Sequence, residues 1–289
     1  MKTTDPISRA EKVSWLLVTP LACVLAFFLL LPIATITVVS FWNYNEWSFF
    51  PDFILDNYAF HLTSHVTWAT YLKTLKFMAL TWIFCTAIGF TVAYFLAFHV
   101  RSLSVQIALF LVCTIPFWTS NIIRMISWIP FLGRNGIANS ALIGMGVIDE
   151  PLEWLLYSDF AVVLAFVHLY ALFMVVPIFN TMMRIDKSLI EAARDAGASS
   201  LQILTNVIIP LTKPGIMIGS IFVVTVVMGD FITVRHMSGG QSASVGRLIS
   251  NEIALLQYPS AAASSVVLLC TVLIMIAVMM RFVDIRKEL

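Results

Sequence analysis

One acid set in an otherwise apolar stretch, Asp230, is the residue of this 289-residue sequence best placed to do chemistry. A carboxylate near the end of a membrane-length apolar run is costly unless it faces a cavity or a partner, so it can draw in an ammonium group. The alternatives are an ion pair with Arg124 or Arg235, or a marker of the membrane boundary. Trp118, Asn121 and Arg124 stand at i, i+3 and i+6, which on a continuous helix places them on roughly one face. The Trp118 ring can hold a cation or act as an interfacial anchor. Arg124 would repel a polyamine and hold a carboxylate or phosphonate. His168 and Tyr170 lie in a later apolar run, either lining the same path or packed and hydrogen-bonded within it. His61 and His65 have the i, i+4 spacing of a zinc pair, with Asp56 nearby. No third convincing ligand lies close, so no metal site is expected. The five His are scattered and no nucleophile–base constellation stands out, so no catalytic residue is expected.

Two further kinds of chemistry lack their residues. No G-x-x-x-x-G-K-[S/T] phosphate loop occurs; Gly240 and Gly246 enclose five residues and are followed by Arg247 and Leu248, without the lysine that reaches the phosphates. Cys23, Cys85, Cys113 and Cys270 lie far apart in apolar runs, with no C-x-x-C pair, and read as small packing residues. The formal net charge of +1 gives no footprint for nucleic acid.

The elements that must position these residues are membrane helices. The chain is 60% hydrophobic and only 11% charged, against roughly 25% charged in a soluble domain. Six long intervals are essentially free of charge: 13–45, 77–100, 102–123, 160–183, 214–232 (interrupted by Asp230) and 253–280. Each is long enough to cross a hydrocarbon layer of about 30 Å at 1.5 Å per residue. The first is too long for a signal-peptide core and reads as a retained span. Residues 135–148 are too short to cross and carry three glycines, so a short surface or re-entrant helix is expected there. With six spans both termini lie on one side. That side holds 11 of the 17 Lys and Arg, including Lys2, Arg9, Lys12, Arg286 and Lys287, and is expected to be cytoplasmic. Glu46, Asp52, Asp56, Asp149, Glu150, Glu153 and Asp159 fall on the other side. Trp15, Trp42, Trp47, Trp68, Trp118, Trp128 and Trp154 sit near span ends, as an aromatic belt would. No loop is long enough to fold as a separate soluble domain.

The loop between spans four and five, residues 185–210, is the most informative segment. Ser188 precedes Glu191 by three, the spacing of a capping box. Good helix formers follow, and Gly197 supplies a left-handed residue to end the helix. Ser199 and Gln202 form a second capping box, and Pro210 and Pro214 are expected to bound the helix it opens. The result is two short helices with a sharp bend, the first a small-residue charged knob suited to a groove on a partner.

These residues resemble the EAA loop of ABC importer permeases. Glu191-Ala192-Ala193, three residues, Gly197, nine residues and then Val207-Ile208-Ile209-Pro210 keep the family spacing, with Val for Ile and Ile for Leu as the departures. Other segments resemble the polyamine branch. The run 115–124 is similar to its Pro-x-Trp-x-Ser-x-x-x-Arg stretch, and Gly136 with Asn139 to its Gly-x-x-Asn. Gly229-Asp230-Phe231, then Gly239, Gly240 and Gly246, are similar to its fifth span and external loop. The resemblance covers nearly the whole chain, most closely 71–282.

It implies an all-α, type I importer fold: an N-terminal part with the first span (1–70), a transmembrane domain with a five-helix core (71–282) and a cytoplasmic tail (283–289). It implies a permease in a bacterial inner membrane that itself binds no cofactor, ATP and Mg being held by two separate ATP-binding cassette subunits. A second homologous permease, usually a different chain in this branch, and a periplasmic or extracellular solute-binding protein complete the assembly. Glu191, Ala192, Ala193, Gly197 and Pro210 are then the coupling residues. The solute implied is a polyamine; an opine, amino-acid conjugate or aminophosphonate is the alternative within the class. A secondary transporter would need a coupling-ion site and often internal repeats, and a membrane-embedded enzyme would need a catalytic cluster; neither is visible.

Overall fold

Lipid offers no hydrogen bonds to the backbone, so each long apolar run closes its own as a helix. The computed structural model describes residues 18–45 and 47–281. Lys2, Arg9, Lys12, Trp15, Glu46 and the tail 283–289, with Arg286 and Lys287, lie outside the described residues. The elements in order are α1 (Val18–Val39), a two-stranded hairpin of β1 (Asn43–Tyr44) and β2 (Phe49–Phe50), α2 (Asp56–Thr63) and α3 (His65–His99). Next come α4 (Leu103–Trp118), α5 (Asn121–Ile126), α6 (Trp128–Leu132), α7 (Ile137–Gly144) and α8 (Asp159–Met182). Then follow α9 (Lys187–Asp195), α10 (Ser200–Gly229), α11 (Ile232–Met237), α12 (Val245–Ala254) and α13 (Tyr258–Arg281). Five of these are long and apolar enough to cross a membrane, or six if the bent run from α4 through α7 is counted as one span. The protein is a multi-pass membrane protein.

Two compact units are present. The larger, Ser64–Ser250 with the residues from Leu268, is organised on α3, α8 and α10. Its core includes Phe77, Phe166, Met174, Ile178, Val223 and Val227. Between membrane helices, packing rather than water exclusion drives association, which favours small residues at the contacts. Gly215 of α10 is such a residue: a Cβ there would stand 2.5 Å from the carbonyl oxygen of Pro177 in α8 and collide with the Thr181 hydroxyl. Trp82 of α3 donates from Nε1 to Ser220 Oγ of α10 at 2.7 Å. Ser64 caps α3 by accepting from the Thr67 amide, and Ser158 caps α8 by accepting from Ala161. At one end of the bundle, Gln106 of α4 donates to the Leu96 carbonyl at 2.7 Å and touches Met183 Sδ. At the other end, Asp159 faces Lys76 at 3.0 Å and Lys73 at 3.5 Å, and accepts from the Ser242 hydroxyl.

The smaller unit joins residues up to Thr63 with Asn251–Val267. The apolar window of α1 is wholly exposed, as a lipid-facing helix requires. Its C-terminal residue neighbour Ser40 bonds Tyr58, and Asn57 donates to the carbonyls of Ser40 and Trp42. Here His61 meets Ser260 and Ser264, and faces Glu252 at 3.5 Å. Burial pushes the Glu252 carboxyl up from its ordinary value, against the pull of His61 and the two hydroxyls.

Four sequence expectations are corrected. The third interval is not a single helix: the chain bends by 92° between Trp118 and Asn121, where Pro116 sits in a 3-10 turn and Thr119 is extended. The second span starts at His65, well before residue 77, because Lys73 and Lys76 lie on the helix and pair with Asp159. The last interval is divided, α12 ending before α13 begins, with Leu256 at φ 62° between them. Pro210 and Pro214 do not bound a separate helix, for α10 runs from Ser200 through both. A π turn at Leu204–Ile208 widens the helix ahead of Pro210, accommodating a ring that would otherwise meet the preceding turn. Residues 135–148 do hold a short helix, α7.

Candidate functional site

Two places gather the residues singled out above, and both lie in the larger unit. The first is the loop carrying α9. Its N-cap is Asp186, whose Oδ1 accepts from the Ser188 amide at 2.9 Å; the capping box expected from Ser188 and Glu191 does not form. Asp186 leaves α8 in extended conformation and carries a full charge to the positive helix end, which makes it the stronger cap. That hydrogen bond holds its carboxyl below the usual range. α9 ends as foreseen. Gly197 has φ +83°, with its amide bonded to the Arg194 carbonyl and that of Ala198 to Ala193, the paired bonds of a Schellman motif. Ser199 and Gln202 then form a complete capping box that opens α10.

α9 is strongly amphipathic. Ile190 and Ala193 pack on the core, while Glu191, Ala192, Arg194 and Asp195 are exposed. Among the described residues, Glu191, Arg194 and Asp195 have no ion-pair partner. Nothing lies near the Cβ position of Gly197, so backbone conformation alone demands glycine there. Pro210 is half-buried in α10, past the π turn. The loop is thus a bracket between α8 and α10, closed by local hydrogen bonds, that leaves its charges exposed.

The second place is a pocket of about 270 Å³ lined by Asn121, Met125, Tyr170, Val226, Asp230 and Thr233, among others. Asp230 caps the C-terminal end of α10 and breaks it by turning extended. Its Oδ2 accepts from the Tyr170 hydroxyl and, at 2.8 Å, from the Thr233 hydroxyl; its Oδ1 accepts from the Thr233 amide at 2.8 Å. Neither Arg124 nor Arg235 pairs with it. All its donors are neutral, so the carboxylate is oriented without being neutralised, and such a group can take a cation. Tyr170 is buried and Asp230 half-buried. Thr233, from α11, was not anticipated; its place three residues after Asp230, as an acid followed by a hydroxyl in a turn, was the available signal.

The remaining candidates separate. Because of the bend, Trp118 is not on one face with Asn121 and Arg124. It is 85% exposed and borders a different, apolar cavity with Phe117 and Phe173. Asn121 lines the Asp230 pocket and accepts from Arg124 Nη2. Arg124 is buried and, with His168, lines another cavity. His168 accepts from Trp128 Nε1 at 2.9 Å, which gives Trp128 an internal hydrogen bond. His61 and His65 do not share a helix, since Ser64 separates α2 from α3.

Comparison with known proteins places this geometry. No family model matches the chain. It is 34% identical to the spermidine/putrescine transport system permease protein PotB of Escherichia coli K12, over 89% of this chain and 93% of that one. It is also 34% identical to the PotB of Haemophilus influenzae, over 79% of each chain. The inner membrane ABC transporter permease protein YdcU of E. coli is 28% identical over 73% of this chain and 69% of its own. In fold it is similar to a chain of a bacterial ABC transporter that imports the acidic polysaccharide alginate, with TM-score 0.74, 17% identity, and 96% and 98% of the two chains covered. It is likewise similar to a chain of a bacterial alginate ABC transporter in complex with alginate pentasaccharide-bound periplasmic protein, with TM-score 0.73, 15% identity, and 94% and 93% covered. With an exposed bracket before the penultimate long helix, an acid-bearing pocket in the bundle and these relatives, the chain belongs to the ABC importer permease family that includes the PotB proteins.

Proposed function

We propose that this permease forms half of a translocation pathway for a small amine-bearing solute, a polyamine of the spermidine or putrescine type. The observation that carries the reading is the Asp230 carboxylate, held in a pocket of the bundle by neutral donors only. An ammonium group entering that pocket meets a fixed negative charge where low dielectric strengthens the attraction. The names of the relatives support the same solute class.

The chain sits in a bacterial inner membrane with both termini in the cytoplasm, the side richer in Lys and Arg. Two ATP-binding cassette subunits supply the energy, a second and different permease completes the pathway, and an external binding protein delivers the solute. ATP and Mg are held by the cassette subunits. What this chain contributes is mechanical. α9 is fixed to α8 through the Asp186 cap and to α10 through the Gly197 turn and the Ser199–Gln202 box. A push on Glu191, Ala192 or Arg194 therefore moves the bases of α8 and α10 together. Tyr170 rides on α8 and Asp230 ends α10, so the same movement alters the pocket that holds the amine.

The test is uptake of labelled putrescine into vesicles carrying the whole importer and its binding protein. Uptake that needs ATP and, at putrescine well below KM, falls about tenfold in D230N is the expected outcome. Uptake by D230N equal to wild type, or none of any polyamine by the wild type, would remove the proposal.

A further inference from the structure

Arg124 is a guanidinium without an anion. Its residue is 8% exposed, and no carboxylate of the described residues lies within ion-pair distance. Its side chain makes one hydrogen bond, from Nη2 to Asn121 Oδ1, and its buried Nε finds no acceptor. A guanidinium does not discard its charge. Burying it unpaired is costly, and an ionisable group in a membrane bundle is expected to have a partner. Asp230 does not supply one, since Tyr170 and Thr233 occupy it.

A second donor stands beside it. Trp128 Nε1 can only donate, so the His168 Nδ1 that it reaches must be bare. The ring then carries its proton on Nε2, and no acceptor among the described residues takes that proton. Arg124 and His168 line the same cavity of about 260 Å³. Its other walls are apolar apart from the Cys113 thiol, with Pro116, Phe117 and Val167 among them, and no acid contributes.

We propose that this cavity is an anion site that takes one monovalent anion of halide or carboxylate chemistry. One fixed positive charge and one neutral N–H donor, among apolar walls, suit a single negative charge; a divalent anion would keep one charge unmatched. The anion lies one hydrogen bond from the amine pocket, because Arg124 holds Asn121 and Asn121 lines it. Two sources share the chemistry, free chloride and an acid group on the solute. The site does not depend on the polyamine reading, and neither does its primary readout.

The experiment measures thermal stability of the whole importer in lipid nanodiscs, at constant ionic strength, with chloride replacing sulfate, the divalent anion that the site does not match. A saturable rise in Tm with chloride that is absent in R124Q and weakened in H168A is expected, and assigns the site to the free ion. A rise with 4-aminobutanoate in sulfate, absent with both 1,4-diaminobutane and chloride, assigns it to an acid group on the solute. A wild-type Tm indifferent to all three, or a chloride response unchanged in R124Q, overturns the proposal. Should R124Q fail to assemble, bromide soaked into wild-type crystals decides: anomalous density beside Arg124 and His168 supports the site, and its absence there overturns it.

Discussion

The α9 bracket and the Asp230 pocket lie in the same unit and are made by opposite means. In the bracket, every conformation-setting contact is local. Asp186 caps two residues on, Gly197 closes bonds to Arg194 and Ala193, and Ser199 pairs with Gln202. Its charged face is left exposed, without an ion-pair partner among the described residues. In the pocket, the carboxylate ends one helix, and its partners come from α8, sixty residues earlier, and from α11. Its half-buried carboxylate is tied down by two hydroxyls and a backbone amide. The coupling element proposed here is specified by short-range rules, whereas the proposed amine site needs the bundle to assemble first.

This contrast orders the expected responses. The largest belongs to the bundle beneath the pocket. In G215L the new side chain runs into the Pro177 carbonyl and Thr181, so α8 and α10 cannot close. Loss of folded subunit in detergent, read by size-exclusion profile, is expected; a stable subunit would mean that the two helices slide freely. Next is G197V. A β-branched residue at φ +83° is strained by about 1–2 kcal/mol or more, and the bracket turn distorts. Assembly should persist while ATP-dependent uptake falls about tenfold, with G197N close to wild type because Asn tolerates this region. If G197V and G197N behave alike, the turn is not what transmits movement.

Smaller effects separate the two regions further. D230N should raise the KM for a diamine by about tenfold, since a charge-assisted contact becomes a neutral one; Y170F, which removes a donor and leaves the charge, should cost less. S199A removes the hydroxyl of the capping box and should lower stability by about 1 kcal/mol, seen as a modest drop in Tm without a change in KM. The smallest is D186N. The Asp186 carboxyl is held below its ordinary value, so its contribution is complete at neutral pH and fades as the pH falls through that lowered pKa. Asn caps nearly as well and does not titrate. The Tm difference between D186N and wild type should therefore shrink on acidification, and a difference that grows instead would show that Asp186 does not cap as a carboxylate.

The same division explains what could be read without coordinates. Gly197, the Ser199–Gln202 box and the helical character of residues 189–195 were legible because their causes lie within four residues. The caps were less so: Asp186 displaced Ser188, as both residue types are good caps and only the exit angle of α8 chooses between them. Six apolar runs were legible as composition, but the bend between Trp118 and Asn121 was not, because a Pro two residues before a Trp fits a kinked helix as well as a broken one. That bend is why Trp118 left the face it was assigned to. Asp230 was legible as an oddity in apolar surroundings; that Tyr170 and Thr233, rather than an arginine, would hold it depended on how α8, α10 and α11 pack.

The wide turn at Leu204–Ile208 gives α10 one more residue per turn than its length needs. Were that turn to tighten to the ordinary pitch with all its residues kept, everything above would swing by about 100°. Ser220 would then point away from Trp82, Gly215 would cede its contact with α8 to a bulkier neighbour, and the acid at the far end would leave its hydroxyls. By absorbing one surplus position near the bracket, the widened turn thus preserves the rotational phase of a helix that ends more than twenty residues away at Asp230.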